Sequence, residues 1–290
     1  VLQSKIDDIT DTFFVKVAKN LNDLRRWKIT KYEELAQELD PIIKKENASL
    51  SALTGHISPE TINEKRRALD TNIIKQNKFQ FFVDEMKKEA SGKMNGDVFG
   101  PLFTRLNFSK ALDKIKTLQG EARKIIRQEL CRILVNLEIS AEMYKGKNFL
   151  NFMFYGPAGT GKTTVARVVG KVLKLSGILY TDIFQEISPQ DLKAQYLGQT
   201  AALVSQTLMS ALEGITFIDE AYGLTECDRG VLKGVDNYQK EALNVMLQHM
   251  SQYSGLCVVI VAGYEKHMFN CFLPSNPGFD RRINKRFKLK

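Results

Sequence analysis

Apolar residues recur at three- and four-residue intervals early in the chain, at Ile6, Ile9, Phe13, Phe14, Val17 and Leu21. That spacing is one face of an amphipathic helix. The pattern resumes from Tyr32 to Leu39 and is expected to stop at Pro41, since proline lacks an N–H and crowds the preceding turn. Ser58 reads as the cap of a further helix with Pro59 at its first position. Asn77 to Lys88, with Phe79, Phe81, Phe82 and Met86, predicts an aromatic-rich helix whose rings serve packing. Gly92 to Pro101 is a glycine-bearing break. These features predict an all-helical N-terminal domain over residues 1–104.

From residue 105 the pattern changes to helices alternating with short apolar runs. Ala111 to Lys145 reads as helix broken near Gly120, and Phe149–Tyr155 as the first core strand. Helices are expected at Thr163–Leu175, Thr200–Leu212 and Tyr238–Tyr253, and strands at Phe184–Ile187, Ile215–Ile218 and Leu256–Ala262. Continuous apolar strands between helices predict an α/β domain over residues 105–290, with a parallel sheet flanked by helices on both faces.

Composition changes this picture little. The chain is 43% apolar and 26% charged, which describes an ordinary globular protein. No apolar run approaches the roughly 20 residues that span a bilayer, and no signal peptide is visible, so a cytoplasmic or nuclear setting is expected. Cys131, Cys227, Cys257 and Cys271 show no C-x-x-C spacing and are expected as four reduced thiols. His56, His249 and His267 are scattered and suggest no metal site. Of the net charge of +9, most comes from the last ten residues, which hold six Lys/Arg and no acid. A short basic tail is a narrower footprint than nucleic-acid binding usually needs.

The chemistry sits at two segments. Gly156, Gly161, Lys162 and Thr163 meet the pattern G-x-x-x-x-G-K-[ST] between a predicted strand and a predicted helix. Glycines let successive backbone N–H groups converge on phosphate oxygens, and the helix N-terminus adds partial positive charge. Lys162 is placed to bridge β- and γ-phosphates and the Thr163 hydroxyl to ligate Mg2+. The segment therefore reads as a cradle for ATP or GTP. The second segment, Ile215–Ile218, is a short apolar strand that ends in Asp219 and Glu220. Asp219 would hold the magnesium ion, and Glu220 would orient and polarise the water that attacks the γ-phosphate. Together they predict nucleotide hydrolysis.

Five segments, Gly156–Thr164, Gln195–Thr200, Phe217–Tyr222, Val258–Glu265 and Asn276–Phe279, resemble in their order the CbbX type of AAA+ ATPase. That group includes red-type Rubisco activases, a sporulation branch and the ATPases of type VII secretion, and the resemblance covers about residues 108–290. It implies a P-loop AAA+ core that binds ATP and Mg2+ in a homo-oligomeric ring, usually a hexamer. The nucleotide-binding positions it implies are Gly156, Pro157, Ala158, Gly159, Thr160, Gly161, Lys162, Thr163 and Thr164. Thr117 to Gly120 falls near the segment that touches adenine. Arg282 matches the family's arginine finger, which reaches a neighbouring subunit's γ-phosphate, with Arg281 where the family has serine. Tyr196, Leu197 and Gly198 match the pore loop that grips an extended chain, and Tyr264 stands at the sensor position. The family continues into a C-terminal helical lid. This sequence ends at Lys290, so the lid is expected to be absent from it.

The leading expectation is an ATP-hydrolysing, protein-remodelling motor or chaperone acting on a protein client, with residues 1–104 for recruitment or anchoring. Two alternatives stay open: a nucleic-acid-associated ATPase, helicase-loader-like and using the basic tail, and a nucleotide-dependent scaffold or switch.

Overall fold

The computed structural model describes residues 11–52, 58–91, 105–146, 150–192 and 199–290. The chain forms two compact units, one of Arg25–Gly100 and one of Val1–Leu24 with Pro101–Lys290. One division falls between Gly100 and Pro101 and a second between Leu24 and Arg25. Within the larger unit, Asn20 Nδ2 donates to the Leu137 carbonyl at 2.6 Å and the Glu138 carbonyl at 3.2 Å. Leu21 lies over Gly177, where an added Cβ would come within 3.1 Å of its methyl group. Of the early amphipathic face, Phe14, Val17 and Leu21 are buried, while Ile6 and Ile9 lie outside the described residues.

The smaller unit is built from α1 (Asp11–Ser51), from Arg25 onward, and from a second long helix, α2 (Pro59–Ser91). Helix α1 continues through Pro41, where the sequence predicted a stop. An interior proline costs about 3 kcal/mol, and contacts from α2 offset that cost. Gln76 Nε2 donates to the Asp40 carboxylate and to the Ala36 carbonyl at 3.4 Å, and Asn72 Nδ2 reaches both Glu46 oxygens at 3.1 and 3.0 Å. Farther along, Tyr32 packs on Phe79 and Phe82 with ring centroids 5.8 and 5.3 Å apart. The aromatic residues thus serve packing.

In the larger unit, α3 (Arg105–Lys116) and α4 (Gly120–Ile139) precede the sheet. Then follow β1 (Phe152–Tyr155), α5 (Lys162–Leu175), β2 (Phe184–Ile187), α6 (Thr200–Ser210) and β3 (Ile215–Ile218). A short hairpin of β4 (Glu226–Asp228) and β5 (Val231–Gly234) leads to α7 (Asn237–Gln252) and β6 (Val258–Gly263). The helical residues 265–275 contain a π turn at Met268–Phe272 and lead to α8 (Pro277–Arg282) and β7 (Lys285–Lys288). The five main strands form a parallel sheet in the order β2-β3-β6-β1-β7. Strands β3 and β6 are buried along their whole length, as a sheet covered on both faces requires.

The basic C-terminus forms the last core strand: β7 pairs with β1, and Leu289 is buried. Three of its basic residues are matched locally, Lys285 to Glu129 at 2.6 Å, Arg286 to Asp280 at 2.7 Å and Lys288 to Glu265 at 2.5 Å. The expectation of four reduced thiols is corrected, because Cys227 and Cys271 are joined in a disulfide while Cys131 and Cys257 remain thiols. Sequence spacing hid this pairing, since 44 positions separate the two residues and folding brings them together.

Asn151 stitches the start of β1 to its surroundings. Its Oδ1 accepts from Val259 N at 2.8 Å, and its Nδ2 donates to the Arg282 carbonyl at 3.1 Å. Truncation would leave both buried backbone groups unpaired, at about 1–3 kcal/mol. Asn151→Ala is expected to lower unfolding stability by ~2 kcal/mol in a guanidinium titration.

Candidate nucleotide site

The loop after β1 begins at Gly156, whose N–H donates to the Gly263 carbonyl at 3.2 Å. A Cβ here would sit 2.1 Å from the Leu289 carbonyl oxygen, so only glycine lets β7 close against the loop. Gly161 ends the loop with φ 76°, a left-handed conformation that glycine adopts without strain, and caps α5. Lys162 therefore stands at the first turn of α5 beside helix N–H groups, where an anion is favoured. Its ammonium donates to the Gly156 and Pro157 carbonyls at 3.1 and 2.8 Å and lies 5.7 Å from the Tyr264 ring centroid. The lysine thus braces its own loop through contacts that phosphate oxygens can replace.

Lys162, Thr163, Thr164, Asp219, Glu220 and Tyr264 line one cavity of about 360 Å³, together with loop residues Ala158, Gly159 and Gly161. Parallel topology causes this convergence. Strands β1, β3 and β6 are neighbours or next-neighbours, and their carboxyl ends release the loop, the acid pair and Tyr264 on one edge. Asp219 is tied to the sheet by its backbone N–H, which donates to the Ile187 carbonyl at 3.2 Å, and its Oδ1 accepts from Glu220 N at 3.0 Å. Glu220 is left-handed, with φ 47°, and its carbonyl accepts from Gly223 N at 2.7 Å. Such a backbone costs of order 1–3 kcal/mol in a non-glycine residue and collects at functional sites. The turn aims an exposed carboxylate at the cavity.

Tyr222 is a residue that the motif reading passed over. An added Cβ at Gly263 would meet its ring at 2.9 Å, and it lies against His267 with centroids 4.8 Å apart. Burial, reinforced by the neighbouring Glu220 carboxylate, pushes its phenol well above the ordinary tyrosine value, so it stays protonated. The signal lay in its place two residues after Glu220, but its partners come from β6 and the following turn.

A Thr hydroxyl and an Asp carboxylate on one cavity are hard oxygen donors of the kind magnesium takes alongside nucleotide phosphates. Among the described residues, no group of three or more His, Cys, Asp and Glu is set to hold a metal ion. The donor set therefore fits a cation that arrives with phosphate. Arg282 is not brought to this cavity. Its Nε donates to Ser251 Oγ at 2.8 Å and its Nη1 to the Gly278 carbonyl at 3.0 Å, near the amino end of β1. The loop leaves the opposite, carboxyl end of that strand. Tyr196, Leu197 and Gly198 lie outside the described residues.

The family model for the ATPase family associated with various cellular activities matches residues 152–287. Residues 152–287 form an AAA ATPase domain. The chain is 37% identical over 164 residues to Stage V sporulation protein K of Bacillus subtilis, covering 56% of this chain and 49% of that protein. It is 33% identical over 178 residues to the ESX-1 secretion system protein EccA1 of Mycobacterium tuberculosis, covering 61% and 30%. A CfxQ homolog of Pyropia yezoensis is 35% identical over 159 residues, covering 54% and 51%. These relatives support the CbbX-type resemblance. The match spans about half the length of two of them and less than a third of the other. No described helix is long and apolar enough to cross a membrane.

Removing the lysine of the AAA loop would take away the charge expected to meet the phosphates. Lys162→Ala is expected to abolish binding of a fluorescent ATP analogue, and affinity near wild type would count against the phosphate-loop assignment.

Proposed function

We propose that the chain is the ATP-hydrolysing part of a protein-remodelling motor or chaperone that works as a ring, usually a hexamer in this family. The convergence of Lys162, Asp219 and Glu220 on one cavity carries the hydrolytic half of this reading. ATP seats its phosphates on the backbone N–H groups of Ala158–Thr164, and Lys162 exchanges the Gly156 and Pro157 carbonyls for β- and γ-phosphate oxygens. Thr163 and Asp219 would hold Mg2+, which supplies charge neutralisation across those oxygens when bound. Glu220 accepts a hydrogen bond from the attacking water and polarises it, helped by a backbone that points its carboxylate into the cavity. Tyr264, which lines the same cavity, would respond to the γ-phosphate.

Arg282 serves as the arginine finger only in trans on this reading, because its own backbone is anchored to Asn151 at the other end of β1. A guanidinium that trades Ser251 and Gly278 for a neighbour's γ-phosphate suits the charge that develops in phosphoryl transfer. Tyr196, Leu197 and Gly198 would form the pore loop that turns hydrolysis into a pull on the client. Within the 1–104 region, the helical unit would recruit the client or anchor the ring. The relatives' names place them in a secretion system and in sporulation, which supports a protein client. The pairing of Lys285, Arg286 and Lys288 with the chain's own acids disfavours a nucleic-acid footprint in the tail.

Glu220→Gln is expected to bind ATP while turnover falls at least 100-fold, roughly the usual scale for a lost general base. Turnover within a few-fold of wild type would remove Glu220 from its role. The same variant held in ATP should retain client protein on affinity capture. Tyr196→Ala should keep most ATP hydrolysis and lose remodelling of the captured client; equal loss of both would refute a gripping loop.

A further inference from the structure

The disulfide lies between two segments that leave the nucleotide cavity. Cys227 is in β4, which a single helical turn, Ala221–Leu224, connects to Glu220. Cys271 is in the π turn Met268–Phe272, which follows Tyr264 by one short helical segment. The bond therefore ties the chain leaving the acid pair to the chain leaving β6. Weaker contacts join the same two segments, since Asn270 Nδ2 donates to the Gly230 carbonyl at 3.3 Å and the Lys266 methylenes lie over Gly230.

The path from the bond to the catalytic carboxylate is short. The turn that holds Cys271 also holds Met268, whose sulfur packs over Gly263 beside the Tyr222 ring. His267 lies 4.8 Å from that ring, and Tyr222 is two residues from Glu220. Glu220 sits in a left-handed backbone that surrounding structure must hold. The clamp at Cys227–Cys271 closes this frame from the far side.

Access to the two sulfurs is unequal. Cys271 has no exposed surface, whereas Cys227 is partly exposed on the hairpin. Where thiol reductants circulate, the disulfides that occur are chiefly catalytic or redox-sensing.

We propose that Cys227–Cys271 is a thiol–disulfide exchange site, and that its reduction by a dithiol slows ATP turnover at the neighbouring Glu220. The reductant's thiolate attacks the accessible Cys227 Sγ, and the Cys227–Cys271 bond breaks with its electron pair passing to Cys271, which takes up a proton. The reductant's second thiolate then attacks the mixed disulfide, releasing Cys227 as a thiol. The dithiol is oxidised to its disulfide, and two electrons and two protons pass to the protein. Reduction frees the hairpin and lets the π turn shift, so the Met268–Tyr222 frame no longer fixes the strained Glu220. This inference rests on Glu220 as the water-orienting residue.

The test measures ATP turnover by the whole chain before and after dithiothreitol, with thiols counted in denaturant. Two thiols should titrate before reduction and four after, since Cys131 and Cys257 lie outside the disulfide. Turnover is expected to fall about fivefold on reduction, ~1 kcal/mol at the transition state. Cys227→Ser should match the reduced wild type and ignore dithiothreitol, whereas Cys131→Ser should respond as wild type does. Four thiols before reduction, turnover within about twofold between fully oxidised and fully reduced protein, or a Cys227→Ser variant that still responds would each overturn the proposal. Glu220→Gln assayed alongside separates the two readings. If it turns over like wild type, the reading of Glu220 fails; if it is dead while reduction changes nothing, only the redox proposal fails.

Discussion

Strand β1 lies between β6 and β7 with Tyr155 opposite Gly263 on one side and Lys288 on the other. From that register the phosphate loop takes its starting point. The Gly156 N–H donates to the Gly263 carbonyl, and Leu289 N donates to the Tyr155 carbonyl at 2.8 Å, so both neighbours grip the strand where the loop departs. Asn151 fixes the other end through Val259 and Arg282. Phe152 and Phe154 fill the layer between, each within about 6 Å of Phe287. Burying a phenylalanine contributes about 1.5–3 kcal/mol, and a slipped register would exchange which face each ring fills.

Once β1 is placed, the chemistry follows from geometry that costs little to maintain. The parallel sheet delivers Lys162, Asp219, Glu220 and Tyr264 to one edge although long connections separate them in the chain. The strained element is local, the left-handed Glu220 immediately beyond β3. Its support comes from elsewhere in the chain: Tyr222 against Gly263, Met268 over the same glycine, and the Cys227–Cys271 bond behind them. The AAA domain therefore shares one aromatic and sulfur-rich frame between the acid pair and the end of β6.

Much of the core was legible because its signals are short in range. Gly156, Gly161, Lys162 and Thr163 demand a strand, a tight loop and a helix, and these form at Phe152–Tyr155 and Lys162–Leu175. The apolar runs at Ile215–Ile218 and Val258–Gly263 became fully buried strands because both faces of a parallel sheet are covered. Pro41 was misread because local propensity carries no knowledge of α2 alongside. Net charge alone does not show which acids will face the basic tail, and Glu129, Asp280 and Glu265 pair with three of its residues.

The amino-acid sequence alone determined the nucleotide loop, the acid pair after β3 and the α/β class, since each depends on residues within a few positions of one another. Tertiary structure decided what lies across long stretches of chain. It put residues up to Leu24 with the α/β unit, Arg282 at the end of β1 away from the phosphate loop, and Cys227 against Cys271. The physical reason is the range of the forces: backbone propensity and motif geometry act along neighbours, whereas burial, ion pairing and disulfide formation depend on which distant groups packing brings together.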